Sequence, residues 1–169
     1  MDVFDAIRTV LAVRRFRDQK VPADIVRRIV DAGRLSASGS NRQPWHFIVV
    51  EQRKTLQALG AAMRTGPYIA DAAFAIAVMV EAESKLGVSD GSRAIQNMIL
   101  AAWADGVGSN WVGFGSMPAA EKLLEVPAGY HGLAIVAFGY PAAKIGRGTK
   151  KRKPIGEVAS RERYGTPFS

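Results

Sequence analysis

Three runs of apolar residues limit the folds open to this chain: residues 46–50, 73–80 and 131–138. A strand with one solvent-exposed face alternates apolar and polar residues, whereas these runs show little alternation. Each run therefore predicts a strand covered on both faces. Because helical patterns lie between the runs, the sequence predicts a single α+β domain in which helices cover both faces of a sheet.

Periodic apolar positions predict the helices between these strands. Phe4, Ile7, Val10 and Leu11 have helical spacing and predict a first helix over residues 3–13. A helix apolar nearly all round, typical of a core or a subunit interface, is predicted to begin at Asp90. The other predicted elements are a helix opened by Pro22 and Asp24, helices at 55–63, 118–124 and 155–161, and a strand at 109–114.

Length and composition indicate one cytoplasmic domain over residues 1–169. No linker or internal repeat divides the 169 residues, and there is no cysteine to form a disulfide or a thiolate site. The longest apolar run, 72–80, is far shorter than the roughly 20 residues of a membrane helix. We therefore expect no membrane association.

The net charge of +8 is concentrated near the C-terminus, at Lys144, Arg147, Lys150, Lys151, Arg152 and Lys153. Three interpretations are open: a solvated tail, a phosphate-binding segment for a cofactor, or a nucleic-acid contact. No aromatic residue interleaves with these charges, and proteins that bind single strands usually stack bases on aromatic rings. The pattern therefore argues against nucleic acid as a partner.

A polar loop, Ser36-Ala-Ser-Gly-Ser-Asn-Arg-Gln-Pro-Trp45, joins a helix to the first predicted strand. Its small residues leave backbone N–H groups free to donate, and the proline after Gln43 favours an extended backbone there. Such a loop can present amides to a planar polar ligand, although an ordinary connector has a similar composition.

Side chains for the common kinds of catalysis are missing from the sequence. His46 and His131 each begin an apolar strand without an acidic partner nearby, which argues against a metal site or a Ser-His-Asp triad. Gly106-Val-Gly-Ser109 does not open a helix, so it is no dinucleotide fingerprint. An enzyme built on this chain would need a cofactor to carry the chemistry.

Three blocks together resemble the nitroreductase family of FMN enzymes: Asn41-Arg-Gln-Pro-Trp45, Arg14-Arg-Phe16 and Gly106-Val-Gly-Ser109. The resemblance runs from Met1 to near Tyr164. It implies a nitroreductase-like fold, with a mostly antiparallel central sheet flanked by helices, in an intertwined homodimer. It also implies that a basic extension, residues 142–169, packs on the partner subunit.

The resemblance assigns FMN contacts to Arg14, Ser38, Asn41, Gln43, Gly113, Lys150 and Arg152. Arg14 would face the N1/O2 edge of the flavin, where a cation stabilises the reduced ring. Gly113 would bring its backbone near N5, and Lys150 and Arg152 would hold the phosphate. The loop residues would come from the other subunit. No side chain is assigned a catalytic or metal-binding role.

One departure from the family pattern concerns the phosphate. Many relatives have Arg-Arg-Ser where this chain has Val10, Leu11 and Ala12. We expect that Arg8 cannot replace the missing arginine, because two residues along a helix rotate a side chain by about 200°. FMN binding should then be weak for the family and strongly dependent on salt.

The resemblance implies an FMN-dependent oxidoreductase. NADH or NADPH would reduce the flavin, and a planar acceptor such as a nitroaromatic or a quinone would reoxidise it in a ping-pong cycle. Two alternatives stay open: a carrier of a flavin or deazaflavin on the same fold, and a basic protein associated with nucleic acid.

Overall fold

The computed structural model describes residues 1–113, 115, 117–143, 145 and 150–168. The helices of this part are α1 (Val3–Thr9), α2 (Ala23–Arg34), α3 (Arg53–Ala62), α4 (Gly87–Ala104), α5 (Pro118–Leu123) and α6 (Ile155–Val158). The strands are β1 (Trp45–Val50), β2 (Phe74–Glu81), β3 (Gly108–Val112) and β4 (Tyr130–Gly139). Most predicted elements lie close to these bounds. The predicted strand over 109–114 ends at Val112, and Phe114 lies outside the described residues.

The four strands form one antiparallel sheet in the order β1-β2-β4-β3. β2 and β4 lie at the centre, and every side chain of β2 from Phe74 to Val80 is buried. This burial confirms the interpretation of its apolar run as a strand covered on both faces. The predicted α+β class, with an antiparallel sheet between helices, is also confirmed.

Alternate residues of the central strands supply two hydrophobic cores. On one face Ile76 and Val78 pack with Ile29 of α2 and with Ile95 and Met98 of α4. On the other face the core has a different set of side chains: Ala75, Ala77, Met79, Leu56, Leu59, Met117 and Ala120. The period of two in the sheet therefore separates a layer of α2 and α4 from a layer of α3 and α5.

β1 differs from the prediction, because it is not covered on both faces. His46 and Val49 are exposed, and only Val50 is fully buried. β1 lies at the edge of the sheet, where β2 is its only partner strand among the described residues. An apolar run therefore does not by itself distinguish a central strand from an edge strand whose outer side is open in one protomer.

The predicted first helix, over residues 3–13, is too long, since α1 ends at Thr9. Val10 has an extended ψ of 132°, and beyond it the chain runs along β3. Ala12 forms a bridge with Ser109, and the N–H of Val13 donates to the carbonyl oxygen of Ser109 over 2.9 Å. These long-range bonds replace the hydrogen bonds that a longer helix would have made.

The side chain of Glu121 anchors α5 to the sheet. It is half-buried, and its Oε1 accepts hydrogen bonds from the backbone N–H groups of Met117 and Gly132, at 2.9 and 2.8 Å. The carboxylate therefore fastens the start of α5 to β4. Beside this contact β4 carries a bulge, where the register shifts opposite Val78 and Met79.

No helix in the described ranges is long and apolar enough to cross a membrane. Residence in the cytoplasm stays a prediction from composition.

Candidate functional site

An open groove of about 860 Å³ lies between α1, the extended segment after it, α4 and β3. Side chains of these elements and of the C-terminal tail line the groove: Phe4, Ile7, Arg8, Val10, Leu11, Ala12, Gln96, Ile99, Ser109, Asn110, Trp111, Lys150 and Arg152. Cofactor pockets typically occupy roughly 300–1,000 Å³. The groove is therefore large enough for a cofactor, and it combines an apolar surface with three cations.

The cations of the groove are Arg8, Lys150 and Arg152. Lys150 Nζ donates to the carbonyl oxygen of Ile7 over 2.6 Å, which brings the tail against α1. Partial burial, and then the positive charge of Arg152, lower the pKa of the Lys150 ammonium from its usual value. An anion placed beside this ammonium would relieve both effects.

Arg8 lines the groove, so the geometric reason behind the expectation that it cannot replace the missing arginine does not hold. That expectation treated residues 8 and 10 as one helix, whereas α1 ends at Thr9 and Val10 is extended. Arg8 pairs with Asp5 over 2.7 Å, and its side chain remains about half exposed. Arg8 can therefore contribute charge at the groove, although Asp5 offsets part of it.

Val10, Leu11 and Ala12 all line the groove. These side chains give the groove apolar contacts at the three positions where many relatives have Arg-Arg-Ser, the departure noted in the sequence. Gln96, Ser109 and Asn110 supply polar groups, and the indole N–H of Trp111 donates to the carbonyl oxygen of Gly113 over 2.6 Å. The groove thus has uncharged polar groups on α4 and β3 as well as cations on α1 and the tail.

Arg14 and Gly113 do not line this groove. Arg14 is exposed and lines a neighbouring cavity with Arg15, Asp18 and Arg53. Gly113 has a φ of +75°, and a Cβ there would lie 2.8 Å from Met117 Sδ, so the position favours glycine in both conformation and space. The structure brings Lys150 and Arg152 together, but it does not join Arg14 to them.

The loop residues Ser38, Asn41 and Gln43 lie next to one another and outside the groove of their own protomer. Ser38 Oγ accepts from the backbone N–H of Gln43 over 2.9 Å. The side-chain amide of Gln43 donates to Asn41 at both its backbone carbonyl oxygen and its Oδ1, each over 3.3 Å. Asn41 and Gln43 are exposed, so the loop presents a pair of amides to the surroundings.

Sequence reasoning missed the groups that hold this loop. Asp90 Oδ2 accepts from the N–H of Gly39 over 3.0 Å, and Asn97 Nδ2 donates to Ser36 Oγ over 2.7 Å. Both side chains belong to α4. The available signal was the spacing of Asp90 and Asn97, since polar residues seven apart lie on one face of a helix.

A second missed contact joins the groove to the opposite layer. Asn110, which is almost fully buried on β3, donates from Nδ2 to the hydroxyl oxygen of Tyr68.

Lys144 and Arg147, two of the six clustered basic residues, lie outside the described residues. Within the described part, no group of three or more His, Asp or Glu residues could hold a metal ion.

The chemistry of the groove fits a flavin mononucleotide. A phosphate needs cations or N–H donors, and Lys150 and Arg152 meet at one place in the groove. A fused ring system needs apolar surface with a few polar groups, and Leu11, Ile99 and Trp111 lie beside Asn110. The cationic and apolar parts belong to one continuous cavity, as a phosphate ester of a planar ring requires.

The fold and this groove place the chain in the class of nitroreductase-like proteins. A structure from Bacteroides thetaiotaomicron, described as "Putative NADH dehydrogenase/NAD(P)H nitroreductase", matches with a TM-score of 0.86 and 28% identity, over 96% of this chain and 98% of that one. One from Desulfovibrio desulfuricans, described as "a putative nitroreductase in complex with fmn", has a TM-score of 0.80 and 31% identity, over 97% and 98% of the two chains.

Sequence comparison agrees with the structural match. The model of the nitroreductase family matches residues 8–91 and 70–140. A protein of Methanothermobacter thermautotrophicus, named "Putative NADH dehydrogenase/NAD(P)H nitroreductase", is 32% identical over 154 residues, which cover 86% of this chain and 81% of the relative. The chain belongs to the nitroreductase family, and the resemblance noted in the sequence is confirmed.

Proposed function

We propose that this protein is an FMN-dependent oxidoreductase. It uses NADH or NADPH to reduce a planar acceptor such as a nitroaromatic or a quinone, in a ping-pong cycle. The observation that carries the proposal is the groove, in which Lys150 and Arg152 adjoin an apolar surface. Family membership and a relative with bound FMN support the same cofactor.

Each part of the groove has its own task in this proposal. Arg152 offers a planar fork and Lys150 a point charge to the phosphate, while Arg8 adds charge nearby. Leu11, Ile99 and Trp111 exclude water from the ring. When bound, the flavin supplies a ring that accepts a hydride and passes electrons on, so no side chain has to act as acid, base or nucleophile.

Arg14 provides the electrostatic contribution to reduction. The guanidinium of Arg14 lies outside the groove. In the sequence, however, Arg14 is only two residues after Ala12, which lines the groove and belongs to the segment along the sheet. Reduction adds negative charge at the N1/O2 edge of a flavin, and a cation aimed there stabilises the product more than the oxidised ring. Gly113, whose carbonyl oxygen accepts from the groove residue Trp111, would let the backbone approach the ring.

A homodimer completes the site. Ser38, Asn41 and Gln43 lie outside the groove of their own protomer, and in this proposal they serve the groove of the partner. α1 exposes Val3 and Phe4, which are 73% and 72% accessible, and the tail exposes Ile155 and Val158. Exposed apolar surfaces of this kind mark protein contacts. The basic extension 142–169 packs on the partner subunit in the same assembly.

A second function is favoured by one observation, the apolar contacts of Val10, Leu11 and Ala12. With fewer donors for a phosphate, the groove would hold a flavin or deazaflavin without turning over a nicotinamide. The protein would then be a carrier or a weakly catalytic binding protein. Uptake of the flavin without oxidation of NADH or NADPH would distinguish this function from the first.

The deciding experiment is a visible spectrum of the purified protein, before and after loading with FMN at low salt. NADH or NADPH is then added under exclusion of air. Bleaching of the flavin band by either nucleotide, and its return on addition of a quinone, are the expected results. A protein that shows no flavin band even after loading would refute the first function and would restrict the second to a deazaflavin.

A further inference from the structure

Asp90 is a carboxylate with 1% exposure in the first turns of α4. Its Oδ2 accepts from the N–H of Gly39 over 3.0 Å, and its Oδ1 lies 3.4 Å from Arg93 Nη1. A buried charge is costly unless it is paired and hydrogen-bonded. Asp90 meets both conditions, through the N–H of Gly39 and the guanidinium of Arg93, so its burial depends on these two partners.

The loop that Asp90 contacts has an unusual backbone. Ser40, Asn41 and Gln43 all have positive φ, at 51°, 54° and 53°, so the extended backbone expected at Gln43 before Pro44 is not adopted. Asparagine visits this region more readily than most residues, whereas serine and glutamine have little reason to adopt it. Such conformations persist only where the surroundings hold them. Bonds within the loop, from Gln43 to Ser38 and to Asn41, supply part of this restraint, and the loop is also restrained from outside.

That restraint comes from α4, at the N-terminal side of the strained residues. Asp90 holds Gly39, and Asn97 holds Ser36. A hydrogen bond to a carboxylate is stronger than one to a neutral acceptor, and an acid near a helix N-terminus is favoured by the helix dipole.

The same helix also contributes to the groove. Gln96 and Ile99 of α4 line it, while Asp90 and Asn97 hold the loop. A helix is a rigid element, and residues placed on it keep their geometry better than residues on loops. In the proposed dimer, α4 thus lines the groove of its own protomer and also holds the loop that contacts the groove of the partner.

We propose that Asp90 is a positioning residue for flavin binding: its carboxylate fixes Gly39 and thereby holds Asn41 and Gln43 in the conformation that meets the cofactor in the partner's groove. The proposal rests on the FMN-dependent function. Its alternative is a purely local role, in which Asp90 only pairs with Arg93 and stabilises the start of α4.

Four variants separate these roles. Asp90→Ala removes the acceptor of Gly39, and Asp90→Asn keeps an oxygen acceptor without the charge. Arg93→Ala removes the ion pair and leaves the Gly39 bond. Asp105→Asn is the matched control, since Asp105 is the partly buried carboxylate at the other end of α4, 3.3 Å from Arg28 Nη1. It can change stability without touching the loop.

Two measurements are made on each full-length variant: the Kd for FMN, and hydrogen–deuterium exchange of the segment 36–44 without ligand. For Asp90→Ala we expect a Kd raised about 10-fold or more, the size expected for losing a charge-assisted bond, and faster exchange over the segment. Asp90→Asn should lie between Asp90→Ala and the wild type. Arg93→Ala and Asp105→Asn should match the wild type in both measurements.

The proposal is overturned if Asp90→Ala leaves exchange of the segment unchanged, or if Arg93→Ala or Asp105→Asn weakens FMN binding as much. If Asp90→Ala does not fold, Asp90→Asn decides the question by the same two measurements. A wild type that binds no FMN would end the proposed function. The exchange data would still show whether Asp90 holds the loop, so the two failures can be told apart.

Discussion

Lys150 Nζ donates to the carbonyl oxygen of Ile7 over 2.6 Å, joining the basic tail to the end of α1. This contact brings cations from residues 150–152 to a groove whose other walls come from α1, α4 and β3. The tail is otherwise mostly exposed. The tail has no hydrophobic core of its own, yet this contact places its cations at the groove, where they can bind a phosphate.

Removing the tail charges should weaken FMN binding. We expect Lys150→Ala/Arg152→Ala to raise the Kd roughly 10-fold or more, because charge-assisted bonds to the phosphate are lost, with solvent screening limiting the effect. The salt dependence of binding should also become shallower. Fluorescence titration at several salt concentrations measures both. The control Lys151→Ala/Lys153→Ala alters two exposed cations that do not line the groove, so an equal loss in the control would contradict the assignment.

Flavin affinity should fall at alkaline pH. A bound phosphate stabilises the charged ammonium of Lys150, so its pKa is higher in the complex than in the free protein. Binding is therefore strongest below the free-protein pKa and is lost as the pH rises from that pKa to the value in the complex. Because burial and Arg152 lower the free-protein pKa, the loss begins at lower pH than for an ordinary lysine.

This pH dependence is measured as the Kd for FMN from about pH 7.5 upward, where the phosphate is already doubly ionised. Lys150→Gln should bind more weakly at the lowest pH and should show a smaller change as the pH rises. A wild type and a Lys150→Gln protein with parallel pH profiles would show that another group titrates.

Arg14→Ala should slow reduction much more than it weakens binding. The expected loss is about 100-fold in the rate of flavin reduction by NADH or NADPH, the usual size when one preorganised electrostatic group is removed. Anaerobic stopped-flow absorbance gives the rate, and titration gives the Kd. Arg15→Ala is the matched control, since Arg15 is adjacent to Arg14, is exposed and lines the same cavity as Arg14. Similar rates in the two variants would count against the role of Arg14.

Phe4→Asp should separate the subunits. Phe4 is exposed in one protomer and lines the groove, so a charge there would be buried against the partner. Light scattering after size exclusion should show a monomer with reduced FMN affinity. Leu123→Asp on α5, also an exposed apolar position, should remain dimeric. A wild-type protein that is monomeric at all concentrations would contradict the two-subunit site.

Glu121→Ala should destabilise the fold by about 1–3 kcal/mol, because two buried N–H donors lose their acceptor. The free energy of unfolding in urea measures the loss. Glu121→Gln retains an oxygen acceptor and should lose less. Lys122→Ala, on the exposed side of α5, should stay within about 0.5 kcal/mol of the wild type. No change in Glu121→Ala would mean that water replaces the carboxylate.

The sequence by itself determined the central strands, the fold class and the family. β2 and β4 could be predicted because their apolar runs are long and leave no polar face for solvent, although the shorter run of β1 did not reveal an edge strand, and the Asn41-to-Trp45 block could be matched because it is local. Only the tertiary structure decided the end of α1, the open side of β1, the approach of Arg8 to the groove and the bond from Asp90 to Gly39. Each of these depends on contacts between distant parts of the chain, and local periodicity carries no information about which distant partner will compete for a backbone or side-chain group.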